Sequence, residues 1–331
     1  MRWESDPVAP IVLSSALEGD PSHGLEPGRY WSRLRPHLNR FGISRVADIT
    51  GLDRIGFPVM QAVRPWARSN AVTQGKAESP EGAAIGAVLE CLEMAAGENL
   101  DRLPLVPSGD TGLWSDLAPG AKWPTDQTPF VAAWDLANDE PAAVPRDLIC
   151  TNFSLGAAAE AAPILRHSIG LRAGATLGAA LMHGLLECIE ADARIRREFL
   201  GRADRFALDE THSAYGPLLC RLAELGMRVV VRNLSCNDSA CVIHASIMEA
   251  SGASSLPLPA SGYAARACPH AAIAAALAEV VQARLAVISG VRGTLLRGYM
   301  RTATAGSNWK RNGRAMGLAQ LNWPQKNPSR I

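Results

Sequence analysis

Small and apolar residues recur at helical spacing in three Ala/Gly-rich runs, and each run closes on polar positions three residues apart. Leu89-Glu90-Cys91-Leu92-Glu93 ends the first and Leu186-Glu187-Cys188-Ile189-Glu190 the second, with Ala278-Glu279-Val280-Val281-Gln282 a weaker third echo. Good helix formers surround all three, so each pair at i, i+3 leaves one face of a helix. The pattern predicts helices over 80–99, 178–197 and 269–289, the first opened by Ser79 as N-cap with Pro80 behind it. Another is expected over 28–41, where Tyr30, Leu34, Leu38 and Phe41 share a face and Pro36 bends or divides it. A fifth, over 214–225, ends at Gly226.

Extended segments are expected at 44–50, 57–63 and 70–74, the last delivering the chain to a turn at Gly75-Lys76. More follow at 130–136, 142–144, 228–234 and 241–248. Residues 101–128, rich in Pro, Gly and Asp with Trp114 and Trp123 as the large anchors, read as a long surface connection. A proline-spaced loop at 256–259 leads through Gly262 to the last long helix. The stretch 147–166 is Ala-rich but interrupted by Gly156 and Pro163, and it fits neither period.

Composition narrows the function classes. With 331 residues, 47% hydrophobic, 20% charged and a net charge of +1, the chain reads as an ordinary soluble globular protein with no field that would draw nucleic acid or membrane. The first ten residues lack an apolar signal core, and Glu279, Gln282 and Arg284 interrupt the apolar run 271–291. Neither a signal peptide nor a membrane span is expected, and the cytoplasm is the expected location. Seven cysteines without a C-x-x-C pair fit reduced thiols, with Cys91 and Cys188 as small apolar fillers and no zinc site.

The company of the acid pairs separates them from ordinary solvated helix faces. Beside Glu187 and Glu190 lie His183, Gly184 and Ala191, and beside Glu90 and Glu93 lie Ala83, Gly86, Ala87 and Gly97. A solvated face would carry Lys, Gln or Arg there. Paired carboxylates repel by about 0.2–0.5 kcal/mol on an exposed helix, and by more where water is excluded, so a cation relieves them. Converging helices of this kind supply oxygens for a hard cation such as Mg²⁺ and the phosphates it bridges. That amounts to a nucleotide site without a P-loop; a plain α/β domain unrelated to ATP is the bland alternative.

Several of these residues, in this order, resemble the YcaO family: Gly75-Lys76, the helix with Glu90 and Glu93, Gly170-Leu171 with Gly174 and Thr176, His183-Gly184-Leu185 before Glu187 and Glu190, then Gly262, Glu279, Gln282 and Arg284. The upstream segment 42–65 is similar to the TfuA-associated branch, which includes proteins of peptide-antibiotic clusters such as that of trifolitoxin. The resemblance covers about 28–297, and three motifs in the right order make it specific where any one would be weak. It implies an α+β fold, mixed β-sheets flanked by helices with a nucleotide cleft between them. It divides the chain into an extension (1–25), a YcaO-like domain (26–300) and a polar tail (301–331).

The activity implied is ATP-dependent modification of peptide backbone amides: a nucleophile adds to the carbonyl, ATP phosphorylates the resulting oxygen, and phosphate leaves, giving an azoline or a thioamide. By carry-over, Glu90, Glu93, Glu187 and Glu190 are Mg²⁺ ligands, and Lys76, Thr176, Glu279, Gln282 and Arg284 contact the nucleotide. The implied partners are a ribosomally made precursor peptide, a leader-presenting, dehydrogenase or TfuA-like protein, and a second copy in a homodimer. The chain departs from the family pattern at Ala77, Gly86, Met94, Ala175, Ala179, Ala191 and Ala264, while Arg172 stands where the family has a small residue and restores one positive charge. A degenerate scaffold in the same peptide-processing complex is the alternative. Glu98, on the first acidic helix but outside the motif, is expected to tolerate replacement by Gln.

Overall fold

A computed structural model describes residues 26–101, 103–107, 129–154, 166–174, 176–200, 204–205, 208–236, 240–249 and 259–291. The expected extension at 1–25, the tail at 301–331, Ala175 and most of the 101–128 connection lie outside the described residues. In chain order the first elements are α1 (Pro27–Leu34), β1 (Arg45–Asp48), β2 (Val59–Val63), β3 (Val72–Lys76), α2 (Pro80–Ala96), β4 (Leu105–Val106), β5 (Phe130–Asp135) and β6 (Glu140–Pro145). They are followed by α3 (Leu177–Leu200), β7 (Asp204–Arg205), α4 (Gly216–Glu224), β8 (Met227–Asn233), β9 (Cys241–Glu249), β10 (Ala260–Arg266) and α5 (Pro269–Ile288). Pro36 divides the first predicted helix, whose second half continues as a 3-10 helix, Arg35–Phe41, closed by Gly42 in the left-handed conformation.

The strands form three small sheets, in the orders β1-β2-β3, β10-β9-β8-β7 and β4-β5-β6, and every described pairing is antiparallel. With helices packed on these sheets, the architecture is α+β. The largest apolar core runs from Ile49 and Val59 through Leu222, Val231, Ile243 and Ile247 to Ile273, Leu277 and Leu285, so it joins the first and second sheets through α5. A smaller core of Ile43, Ala62, Ala87, Val88 and Cys91 lies between α2 and the first sheet. A third, with Ala193, Leu234, Val242 and Ala265, seats α3 on the second sheet.

Two contacts decide where the helices sit. Gly75 in β3 faces α2 so closely that a Cβ there would lie 2.1 Å from the Ala83 carbonyl oxygen and 2.2 Å from the Ala87 nitrogen. Gly262 in β10 does the same against α5, with a Cβ position 2.5 Å from the Ala276 oxygen. Only glycine permits that approach of helix backbone to strand.

Two sequence expectations are corrected here. Gly75-Lys76 is not a turn but the end of β3, paired with Met60 and Val59. Gly262 is not in a loop but inside β10, a strand whose Ala-Ser-Gly-Tyr-Ala-Ala-Arg sequence lacks β-propensity and which forms because β9 pairs with it along its whole length. One helix, α5, is long and apolar enough to cross a membrane by length and composition; in this fold it is a core helix packed on β9 and β10. Cys91 is a buried filler as expected, whereas Cys188 is exposed.

Candidate active site

The acidic helices meet where β3, β10 and the loop before α3 converge. Ser79 caps α2 by accepting the Gly82 N–H, as the sequence predicts. About three turns later Glu90 and Glu93 leave the helix on the side of β3, and Glu90 accepts the Gln74 N–H at 3.1 Å. Glu187 and Glu190 reach the same place from α3. Glu93 and Glu187 are joined by one side chain: Arg172 donates Nη1 to Glu93 at 3.1 Å and Nη2 to Glu187 at 2.6 Å. The loop carrying Arg172 also supplies the Ala173 N–H to Glu93 and the Gly170 N–H to Glu187, both at 2.8 Å. On the far side Lys76 of β3 is paired with Glu279 of α5.

Burial, more than a want of cations, governs the charges in this space. Burial is the largest influence on Glu90, Glu93 and Glu190 and pushes all three carboxyls above the ordinary carboxylate range; Glu187 adds repulsion at Glu190. Burial pulls the Lys76 ammonium down to about 8, against the attraction of Glu90 and Glu190. Partial desolvation, with Arg266 and Arg172 nearby, holds His183 below its usual range. Glu190 makes no hydrogen bond among the described residues, and its nearby cations are Arg194, Arg172 and Arg266.

The donor set suits a hard cation carried on phosphates. Glu90 and Glu190, in no ion pair among the described residues, fit Mg²⁺, which typically takes one or two protein carboxylates and completes its shell with phosphate oxygens and water. Among the described residues no group of three or more His, Cys, Asp or Glu side chains is arranged to hold an ion by itself, and Arg172 is the shared partner of Glu93 and Glu187. Gln74 Nε2 and Gln282 Oε1 are buried without a partner among the described residues, and buried polar atoms of this kind call for a ligand or water. Beside the Lys76–Glu279 pair, Ala77 and Ala278 line a largely apolar cavity of about 520 Å³ that also meets Phe57, Tyr215 and Arg221.

The structure thus gathers Lys76, Glu90, Glu93, Glu187, Glu190 and Glu279. It gives two other predicted residues different work. The Thr176 hydroxyl oxygen accepts the Ala179 N–H and so caps α3. Arg284 is buried in ion pairs with Asp53 at 2.7 Å and Glu249 at 3.0 Å, a cluster in the core rather than among the acids. Glu98 is not neutral ground either: it is buried and accepts from Arg64, the Ser69 hydroxyl and the Ser69 N–H. Arg266, at the end of β10, and Arg194 of α3 are the members that sequence reasoning missed; nothing local marks either position.

One departure from the family pattern has a local reason. A Cβ at Gly86 would stand 3.4 Å from the Gly75 Cα, an ordinary contact, so packing on β3 does not account for glycine there. The Met94 side chain belongs to the core, 4% exposed.

Comparison with known proteins gives the family and the fold. A sequence model described as "YcaO cyclodehydratase, ATP-ad Mg2+-binding" matches residues 74–330. An uncharacterised protein of Mycobacterium tuberculosis is 28% identical over 306 residues, covering 86% of this chain and 67% of its own length. A Rhizobium leguminosarum bv. trifolii protein, described as lying in the tfuA 3' region, is 29% identical over 191 residues, or 54% of this chain and 44% of that one. The structure of YcaO from Methanopyrus kandleri bound with AMPPCP and Mg²⁺ superposes with a TM-score of 0.66 at 24% identity, over 83% of this chain and 73% of that one. The E. coli microcin synthetase McbBCD complex with pro-MccB17 bound gives 0.61 at 15% identity, over 78% and 70%. The family match spans the acidic helices and the last long helix alike, and the chain belongs to the YcaO family, whose description is that of ATP- and Mg²⁺-binding cyclodehydratases.

Proposed function

We propose that this chain activates backbone amides of a ribosomally made precursor peptide with ATP, forming an azoline or a thioamide during maturation of a peptide antibiotic. The observation that carries the reading is the convergence of Glu90, Glu93, Glu187 and Glu190 from two helices, facing Lys76 and Glu279 from the other side. Phosphoryl transfer depends on positioning and charge neutralisation rather than on a protein nucleophile, and these groups are mounted on helices and a strand. Mg²⁺ bound there would neutralise phosphate charge. Glu90 and Glu190, with Glu279, are the carboxylates available to hold it; Lys76 is placed to meet phosphate oxygen once it exchanges Glu279 for the nucleotide. Gln74 and Gln282 have unused hydrogen-bonding atoms for the same ligand.

The microcin synthetase complex, which holds a peptide and several proteins, supports a peptide substrate presented by a partner. The relative from the tfuA 3' region supports a TfuA-like partner and with it the thioamide product. Homodimerisation through α3, where Leu177, Met182, Leu185 and Ile195 are exposed apolar side chains, and a cytoplasmic location belong to the same reading. The test is co-expression with precursor and partner, read by mass spectrometry. Glu190→Gln is expected to stay folded and to leave the peptide unmodified, since loss of a metal ligand costs orders of magnitude in rate. Glu224→Gln, an exposed position, is the control and should modify normally.

A second reading, a scaffold without turnover, is favoured by the engagement of Glu93 and Glu187 with Arg172 and by the absence of a three-carboxylate centre among the described residues. Calorimetry with AMPPNP and Mg²⁺ separates the two: no binding heat would leave the scaffold as the better account.

A further inference from the structure

The loop 170–173 saturates two of the four acids. Glu93 Oε1 takes the Ala173 N–H and Oε2 takes Arg172; Glu187 Oε2 takes the Gly170 N–H and Oε1 takes Arg172. All four oxygens of a carboxylate pair drawn from two helices are therefore filled by one short stretch of backbone and one guanidinium. The stretch is held down by the fold. Gly170 has φ +85 and its carbonyl lies 2.6 Å from the Cβ position of Gly184, so the loop rests directly on the α3 backbone. A guanidinium is planar, keeps its charge at any working pH and spans two carboxylates as a fork.

We propose that Arg172 takes the place of one divalent cation in this cluster, locking Glu93 and Glu187 and leaving Glu90, Glu190 and Glu279 to receive metal brought in with nucleotide. The inference rests on the nucleotide reading above. Charge balance supports it. Glu90, Glu93, Glu187, Glu190 and Glu279 are faced by Lys76, Arg172, Arg194 and Arg266, so with Arg172 in place the cluster is close to neutral and holds a bare divalent ion weakly. Without it, two more carboxylates are freed and the excess negative charge matches one more Mg²⁺. Arg172 is thus a positioning residue that joins α2 to α3 before any ligand arrives.

The experiment follows thermal unfolding of the full chain in EDTA and across a Mg²⁺ titration without nucleotide, and counts Mn²⁺ bound with AMPPNP by electron paramagnetic resonance. The wild type should melt at the same temperature with and without millimolar Mg²⁺. Arg172→Gln should melt lower in EDTA, recover with Mg²⁺ at a half-effect concentration at least about tenfold below any wild-type response, and bind one more Mn²⁺ per chain with AMPPNP. Equal Mg²⁺ responses and equal Mn²⁺ counts in the two proteins would overturn the inference. Should Arg172→Gln fail to fold in EDTA, the double variant Glu93→Gln/Arg172→Gln removes the charge on both sides of one bridge. It should fold without metal and respond to Mg²⁺ as the wild type does, and a strong response there counts against Arg172 as the stand-in. Failure of the wild type to bind AMPPNP would refute the nucleotide reading, while the Mg²⁺ melts of the variant still decide the role of Arg172.

Discussion

The units β3–α2 and β10–α5 are built by one device and put to different uses. In each, an antiparallel strand ends a few residues before a helix that opens on proline, and the helix folds back across a strand glycine, Gly75 or Gly262. Beyond that contact they diverge. Helix α2 sends Glu90 and Glu93 together toward the cleft, where Gln74, Ala173 and Arg172 meet them. Helix α5 sends Glu279 that way, to Lys76 of the other unit, and commits Arg284 to Asp53 and Glu249 in the core. One unit thus supplies most of the acid while the other supplies a cross-link and a buried ion cluster. A shared packing geometry fixes where a helix lies; the chemistry depends on which side chains follow the contact by one or two turns.

The comparison can be broken hardest at Arg284. Arg284→Ala leaves Asp53 buried without its cation and Glu249 with Arg54 alone, and removing one partner of a buried pair costs about 3–5 kcal/mol. Chemical denaturation should show that loss, whereas a residue facing ligand in the cleft would lower nucleotide affinity and spare stability. Gly75→Ala and Gly262→Ala test the shared device. Each forces a methyl into helix backbone, and overpacking costs about 1–3 kcal/mol, with Gly75 expected at the upper end because its contact is the closer one.

Glu98→Gln sharpens the contrast within α2. Its loss weakens the hydrogen bonds from Arg64 and Ser69, and bonds to a charged partner are worth about 1.5–3 kcal/mol each at most, so a measurable fall in melting temperature is expected where Glu224→Gln stays within about 0.5 kcal/mol.

The smallest effect is a pH dependence. Burial raises the Glu190 carboxyl above its unfolded value, so its contribution to stability is fully present below the ordinary carboxylate range and is lost as pH rises through the folded value. In EDTA, Glu190→Gln should therefore melt above the wild type at pH 7, with the difference closing as the pH falls toward 4.5. A constant difference across that range would mean that Glu190 is compensated in the folded protein by a cation not yet identified.

Local chemistry made much of this molecule legible in its residues. Three acid-bearing helices, the Ser79 cap, the division at Pro36 and the left-handed Gly226 depend on near neighbours: helical propensity, a side chain reaching the first turn, a ring that bends the chain, a glycine that adopts φ 68. The acid pairs stood out for the same reason, since the small residues around them lie within two turns. What only the tertiary structure decided involves partners far apart in the chain. Strand β10 has no propensity of its own and exists because β9 and α5 cover it. Arg284 and Asp53, 231 positions apart, meet only once α5 closes the core, and Arg172 finds Glu93 across 79. Such pairings are written in the path of the chain, because a charge is neutralised by whatever the fold brings within a few ångströms and not by its neighbours in the sequence.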